Sequence, residues 1–279
     1  MNLGDIFNLL LLQPTINLIA VILRALEALQ IPGALGLSIM LLTVIVKLIT
    51  WPLTSQQIKA SKKMAELKPH LDKLKEKHKG DQQAMAKAQM ELYKEHGINP
   101  AGGCLPAIIQ ILLIYPLYQV IQAFFDPTLG LEKINYFLYS QSWRFTSLPD
   151  PHFLGLSLAD KPSDFARAGA VVLVVPLLTA VLQLVLSKMM SPTPVKPYPT
   201  DTPSEVKEKI KEEDMATAMQ SQMLVMMPIM IGFFAYQFPI GLSLYWNVLT
   251  IMGIYQQYRI SGWGGLANWL NKLTSLSKA

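Results

Sequence analysis

A long apolar run at residues 34–53, ALGLSIMLLTVIVKLITWPL, constrains the fold of this chain more than any other feature. An α-helix rises about 1.5 Å per residue, so about 20 apolar residues cross the hydrocarbon layer of a bilayer. The run therefore predicts a transmembrane helix. Its one charged residue is Lys47. An ammonium at membrane depth costs about 3 kcal/mol, so either the long side chain reaches the nearer headgroups or the charge serves a function.

The composition indicates that the chain as a whole is a membrane protein. Hydrophobic residues make up 51% of the 279 residues and charged residues only 15%, whereas a soluble domain has about 25% charged residues. The apolar residues are gathered into separate runs, which is typical of an all-α polytopic membrane protein. We predict a core of five spans, at residues 34–54, 102–125, 168–188, 222–238 and 239–260.

Two amphipathic segments flank the predicted spans. Residues 1–33 are apolar, but Gln13 and Asn17 interrupt them and Arg24 follows. These interruptions favour a helix that lies in the membrane interface, although the segment is long enough to span. The tail, residues 261–279, also favours an interfacial helix, because one helical stripe gathers its large apolar residues: Trp263, Leu266, Trp269, Leu270 and Leu273.

The distribution of basic residues predicts the orientation in the membrane. Residues 55–98 contain ten lysines and six acidic residues, with Gly80 and Asp81 in the middle and with Met64, Leu67, Leu71 and Leu74 at helical spacing. This pattern predicts a helical hairpin whose lysines form either a solvated face or a docking surface for lipid or a ribosome. The loop at 126–167 has only four basic residues. The positive-inside bias then places the hairpin, the linker at 189–221 and the C-terminus in the cytoplasm, and the loop and the N-terminus outside.

The sequence lacks the residues that several kinds of catalytic and binding site require. Cys104 is the one cysteine, which excludes an internal disulfide and a cysteine-built metal site. The sequence has no HExxH pair, no phosphate-binding GxxxxGK[ST] loop and no GxSxG motif. We therefore expect no cofactor, no metal, no nucleotide hydrolysis and no enzymatic activity. No aromatic residues are interleaved with the lysines, so sequence-specific binding of nucleic acid is not expected either.

A few polar residues lie within the predicted spans and are candidates for a functional site. Thr43 and Lys47 are four residues apart and share one helix face. Gln110 lies in the second span, and Trp246 belongs to a Tyr-Trp-Asn cluster in the last. Together they could line a wet groove in the inner half of the bilayer. Alternatively, Gln110 forms a hydrogen bond between helices, and Trp246 serves packing or interfacial anchoring.

Four segments, in this order, resemble the YidC insertases and their mitochondrial Oxa and chloroplast Alb relatives. The matching segments are GLSIMLLTVIVKLITWPLT (36–54), KKMAELKPHLDKLKEKHKGD (62–81), ELYKEHGINPAGGCLPAIIQ (91–110) and MPIMIGFFAYQFPIGLSLYWNV with YQQY (227–258). The resemblance implies a five-span insertase core with a hydrophilic groove open to the cytoplasm and the lipid. It implies that Lys47 stands at the groove position where arginine is common, with Thr43, Gln110 and Trp246 beside it.

The resemblance also implies a function and partners. The expected function is insertion and folding of nascent membrane proteins in the bacterial cytoplasmic membrane, without nucleotide hydrolysis. The partners would be nascent chains and membrane lipids, while the roles of the ribosome and the Sec translocon are left open. Two alternatives also stay open: a small-solute transporter or channel that uses Lys47 as an anion site, and a passive membrane chaperone.

Overall fold

The computed structural model describes residues 2–78, 81–97, 105–191, 214–267 and 269. Helices dominate them, which confirms the all-α fold class. The helices and strands are α1 (Leu3–Phe7), a π-helical segment (Asn8–Leu12), α2 (Gln13–Ala28), α3 (Ala34–Glu66), α4 (Lys68–Lys77), α5 (Gln82–Glu95), α6 (Leu105–Phe125), α7 (Gly130–Tyr136), β1 (His152–Phe153), β2 (Leu156–Ser157), α8 (Phe165–Ala168), α9 (Val174–Met190), α10 (Asp214–Gln237) and α11 (Ile240–Ser261).

Three helical segments of the described residues are long and apolar enough to cross a membrane. They are Gly4–Ala28, Ala34–Glu66 and Ala170–Met190, and a shorter apolar stretch covers Met226–Gln237. The first of these lies within residues 1–33, for which the sequence favours an interfacial position. Its length and composition also suit a span, so five spans and an interfacial N-terminal helix stay predictions.

The chain divides into two compact units. Unit 1 comprises residues 1–51, 107–182 and 230–252, and unit 2 comprises residues 52–106, 183–229 and 253–279. The core of unit 1 is apolar and joins residues far apart in sequence, including Ile19, Leu23, Ile39, Leu117, Ile121, Ile134 and Leu158. Burial of such side chains stabilises the contacts between helices. Where the helices face lipid, which is as apolar as the side chains, the stabilisation comes mainly from close packing.

The N-terminal helix is fixed to the rest of unit 1 by polar contacts that the sequence pattern does not reveal. The side-chain amide of Asn17 donates to the carbonyl of Phe137 at 2.8 Å. Its oxygen accepts from the backbone N–H of Tyr139 at 2.7 Å. Arg24 donates to the backbone carbonyls of residues 143 and 144. Asn17 and Arg24 thus have hydrogen-bond partners within the protein, which lowers the cost of placing them at membrane depth.

The segment at 126–167, predicted as a loop, has a defined structure. Asp126 starts it by accepting hydrogen bonds from Thr128, from the backbone N–H of Leu129 and from Lys133. These bonds, with that from the Thr128 side chain foremost, hold the pKa of Asp126 well below its ordinary value. Strands β1 and β2 then pair in an antiparallel hairpin.

The same segment anchors the beginning of α11. The backbone N–H of Ile240 donates to the carbonyl of Asp160, and that of Gly241 to the carbonyl of Leu158, each at 2.9 Å. The first N–H groups of a helix have no partner within it, so these carbonyls satisfy groups that would otherwise need water. The segment therefore forms part of the folded unit.

Unit 2 contains α4 and α5, on either side of the predicted hairpin turn. Asp81 caps α5 by accepting from the backbone N–H groups of residues 83 and 84. Gly80 and the linker at 192–213 lie outside the described residues. A buried amide, Gln256, donates to the hydroxyls of Thr54 and Ser55, each at 2.8 Å. These hydrogen bonds link the middle of α3 to the end of α11 within unit 2.

The tail packs tightly where it is described. Gly264 has a positive φ of 51°, and a Cβ at this position would overlap the carbonyl of Met189 at the end of α9. Only glycine combines this backbone conformation with so close an approach. Leu266 is buried, whereas Trp263 and Trp269 are exposed. Leu270 and Leu273 of the predicted interfacial stripe lie outside the described residues.

Candidate functional site

The buried face of α3 carries the candidate residues Thr43 and Lys47. The exposed fraction is 0% for Thr43 and 8% for Lys47. The next residues along the helix, Leu48 and Ile49, are 57% and 71% exposed. Because each residue turns a helix by about 100°, the charged side chain and the two apolar ones point in different directions. The helix thus presents apolar side chains outward and carries Lys47 on its buried face.

The ammonium of Lys47 has no hydrogen-bond or ion-pair partner among the described residues. Ion pairs occur there between Lys133 and Asp126, His152 and Asp150, and Arg167 and Asp160. A buried charge is normally paired, because removal from water costs several kcal/mol. A lysine on a buried helix face, with no anion near its amine among the described residues, is therefore a candidate site for binding an anionic group.

The threonine hydroxyls near Lys47 donate their hydrogen bonds to backbone carbonyls of α3 itself. Thr43 donates to the carbonyl of Ile39 at 2.6 Å. Thr50, one turn beyond Lys47, donates to the carbonyl of Val46 at 2.9 Å. The hydroxyl oxygen of Thr43 keeps lone pairs that can still accept a hydrogen bond. These threonines therefore make the helix face polar without neutralising the amine.

Trp246 lies on α11, in the same unit, and is half-buried. Its neighbours Ser243, Asn247 and Thr250 are more deeply buried polar residues of this helix, and none of them is among the site residues predicted from the sequence. Their spacing of four and three residues puts them on one face. That spacing, present in the sequence, is the signal that could have identified them.

Asn247 differs from Ser243 and Thr250, the polar residues on the same face of α11. Its side chain is 8% exposed, and its Oδ1 is buried without a hydrogen-bond partner among the described residues. By contrast, Thr250 donates to the carbonyl of Trp246 at 2.8 Å. An unsatisfied buried acceptor costs about 1–3 kcal/mol. The described part of unit 1 therefore contains an unpaired donor on Lys47 and an unpaired acceptor on Asn247.

The structure brings Thr43 and Lys47 together on one face and places Trp246 on another helix of the same unit. The backbone of Gln110 belongs to α6, but its side chain lies outside the described residues, as does Cys104. A cavity of 420 Å³ at the corner of α6 and α7 is lined by Gln119, Gln122, Ala123, Phe125, Asp126 and Lys133. It does not include Lys47. No group of three residues suited to a metal ion occurs within the described ranges.

The match to a family model decides the family. Residues 28–263 match the model described as 60Kd inner membrane protein. The chain belongs to this family. The matched region contains all four candidate residues, and the helices of the described part agree with a multi-pass protein of the inner membrane.

Members of the 60Kd inner membrane protein family with curated names include proteins called "Membrane protein insertase YidC". The one from Geobacter sulfurreducens is 30% identical over 229 residues, covering 82% of this chain and 34% of the relative. The one from Fusobacterium nucleatum is 30% identical over 228 residues, covering 82% of this chain and 86% of the relative. The chain thus spans about a third of the length of the Geobacter relative but most of the Fusobacterium one.

The fold of this family member resembles that of a solved relative, an active YidC insertase whose crystal structure has the first transmembrane domain resolved. The TM-score is 0.51 at 23% sequence identity, with 88% of this chain and 45% of the other chain covered. At this identity the likeness concerns the fold alone.

Proposed function

We propose that this protein inserts nascent membrane proteins into the bilayer through a positively charged groove, without hydrolysing nucleotide. The observation that carries the proposal is Lys47, a residue only 8% exposed whose ammonium lacks a partner among the described residues, on an apolar helix long enough to cross a membrane. The names of the curated relatives agree with this function. Thr43, Gln110 and Trp246 are proposed as further groove residues, and Asn247 is added to them.

The energy for insertion would come from the client protein and from the membrane. Opposite charges 4 Å apart attract by about 4 kcal/mol at an effective dielectric constant of 20, enough to hold an acidic client tail at Lys47 transiently. The apolar client helix then partitions sideways into lipid. The membrane potential contributes about 2.3 kcal/mol per charge per 100 mV when an acidic tail moves to the positive outer side. No nucleotide is needed for any of these steps.

The proposed orientation places the lysine-rich hairpin, residues 55–98, and the C-terminus in the cytoplasm, and the N-terminus outside. Clients would then reach the groove from the side where proteins are synthesised. The ten lysines of the hairpin suit contact with anionic lipid or with ribosomal RNA phosphates. A ribosome and the Sec translocon are proposed as partners on this basis and because clients emerge from them.

The test is insertion of a client with a short acidic tail into vesicles that contain the purified protein. Lys47→Ala should reduce translocation of the tail by about tenfold, which corresponds to loss of about 1.4 kcal/mol of a charge interaction. Lys47→Arg should retain translocation because the charge remains. The matched control is Lys161→Ala, which removes an exposed lysine and should have no effect. Equal insertion by all four proteins would contradict the proposal.

The ammonium of Lys47, which is unpaired among the described residues, could also bind a small anion. A transporter or channel is therefore the second candidate. The two functions differ in what crosses the membrane. An anion transporter would carry a labelled anion into the same vesicles without any client protein, and Lys47→Ala would abolish that flux. An insertase would show no such flux, and a passive chaperone would bind the client without accelerating translocation of its tail.

A further inference from the structure

The turn of the β1–β2 hairpin holds a leucine in an unfavourable position. Leu154 and Gly155 connect the two strands and have φ angles of 50° and 80°. Two consecutive positive φ angles are typical of a type I′ turn, where Asn, Asp and Gly are preferred because a larger side chain is crowded. Leu154 is nonetheless 87% exposed. Contacts within the described protein therefore compensate little for the backbone strain.

The hairpin lies where apolar helices of unit 1 begin. The ring of Phe153, next to Leu154, lies over Gly33 and Gly36 at the start of α3; a Cβ added at Gly33 would come within 2.7 Å of it. The carbonyls that follow β2, on residues 158 and 160, accept from the first N–H groups of α11. The hairpin is thus at the level where the apolar part of α3 starts, which is one end of a candidate span.

Exposed apolar residues continue from this region into a candidate span. Phe165 in α8 is exposed, and so are Val171 and Val174 at the start of the apolar segment Ala170–Met190. The base of the hairpin is polar instead, since His152 contacts Asp150 at 2.6 Å and both are exposed. The hairpin therefore has a polar base and an apolar tip, the pattern of a segment that dips into a membrane surface.

We propose that the β1–β2 hairpin is a membrane-surface anchor and that Leu154 inserts into the boundary between headgroups and acyl chains. The occupant of this site is lipid, because the hairpin is continuous with the surface at which the spans enter the bilayer. The two strands pair their backbone groups with each other, so a tip of one exposed side chain enters at little cost in unsatisfied backbone polar groups. Contact with lipid then offsets the strain at Leu154. This inference does not depend on the proposed groove.

The test places one fluorescent label at a time on the purified protein in vesicles. Cys104 is the only cysteine, so a Cys104→Ser protein provides the background for Leu154→Cys. Ser147→Cys labels an exposed polar position of the same segment, and Ile49→Cys labels an exposed position well inside α3. Each protein carries bimane and is measured in vesicles with and without nitroxide lipids in both leaflets.

The label on Leu154→Cys should show blue-shifted emission and a loss of intensity with headgroup nitroxides that exceeds the loss with nitroxides deep in the acyl chains. Ile49→Cys should show the opposite preference, which also proves that the protein is incorporated. Ser147→Cys should respond weakly to both. If the label on Leu154→Cys behaves like that on Ser147→Cys while Ile49→Cys is quenched, Leu154 faces water or awaits a protein partner, and the proposal is overturned.

Discussion

Three consecutive residues of α3 illustrate how burial separates interpretations that the sequence leaves open. Lys47 is 8% exposed, while Leu48 and Ile49 are among the more exposed residues of the helix. A lysine that snorkels along the lipid-facing surface of the helix would be about as exposed as Leu48 and Ile49. The buried position instead supports a role inside the protein, where an ammonium attracts an anionic group more strongly than it would in water.

At the same scale, Asn247 provides a test of stability. Asn247→Leu replaces a buried amide whose acceptor is unsatisfied by an apolar side chain of similar size. We expect the free energy of unfolding to stay unchanged or to rise by up to about 1–3 kcal/mol. Thr250→Val, the matched control on the same face, removes the bond to the Trp246 carbonyl and should lower it by about 0.5–1.5 kcal/mol.

Both variants can be followed by tryptophan fluorescence during thermal unfolding in detergent. A loss of stability in Asn247→Leu as large as that in Thr250→Val would mean that the amide is satisfied in solution. If Asn247 contributes to the groove, insertion by Asn247→Leu should fall although the protein is no less stable.

At the scale of elements, unit 1 is held together by contacts between segments far apart in the chain. Asn17 ties the N-terminal helix to residues 137 and 139. The β1–β2 hairpin lies against the start of α3, and the residues after it hold the start of α11. The segment at 126–167, a loop by its sequence pattern, thereby organises the ends of several helices.

The contact between the hairpin and α3 predicts a specific coupling. Gly36→Ala adds a Cβ that would overlap the ring of Phe153, so we expect a loss of about 1–3 kcal/mol of unfolding free energy. Phe153→Ala removes the ring, and in the double variant the overlap disappears. The two changes together should therefore cost less than the sum of the single ones, by about 0.5–3 kcal/mol.

Gly253→Ala is the control for this cycle, because Gly253 is also helical and an added Cβ would meet Leu186 only at 3.4 Å. We expect it to be neutral, or stabilising by about 0.5–1 kcal/mol. If the changes in unfolding free energy caused by Gly36→Ala and Phe153→Ala, measured by thermal unfolding, simply add in the double variant, the two positions do not touch.

At the scale of the whole molecule, the charge distribution predicts the orientation in the membrane. Ten lysines in residues 55–98 against four basic residues in 126–167 favour a cytoplasmic hairpin by the positive-inside bias. The number of spans depends on the N-terminal helix. It is long and apolar enough to cross, yet the sequence favours the interface.

Labelling in intact cells tests this orientation. In a Cys104→Ser background, Ser147→Cys should react with a membrane-impermeant maleimide from outside, because the proposed topology exposes the 126–167 segment there. Lys87→Cys, in the hairpin, should react only after the cells are permeabilised. The reverse pattern would invert the proposed topology. Asn2→Cys distinguishes five spans, with this residue outside, from six, with it in the cytoplasm.

The sequence by itself determined the helical class and the apolar segments, because hydropathy and helical periodicity are local properties of a chain. It also identified Thr43 and Lys47 as neighbours on one face, since four residues make about one helical turn. Only the tertiary structure decided that this face is buried, that the Asn247 acceptor is left unpaired and that Phe153 lies against Gly36. These facts depend on contacts between segments far apart in the chain, and such contacts follow from the packing of helices rather than from the pattern within any one of them.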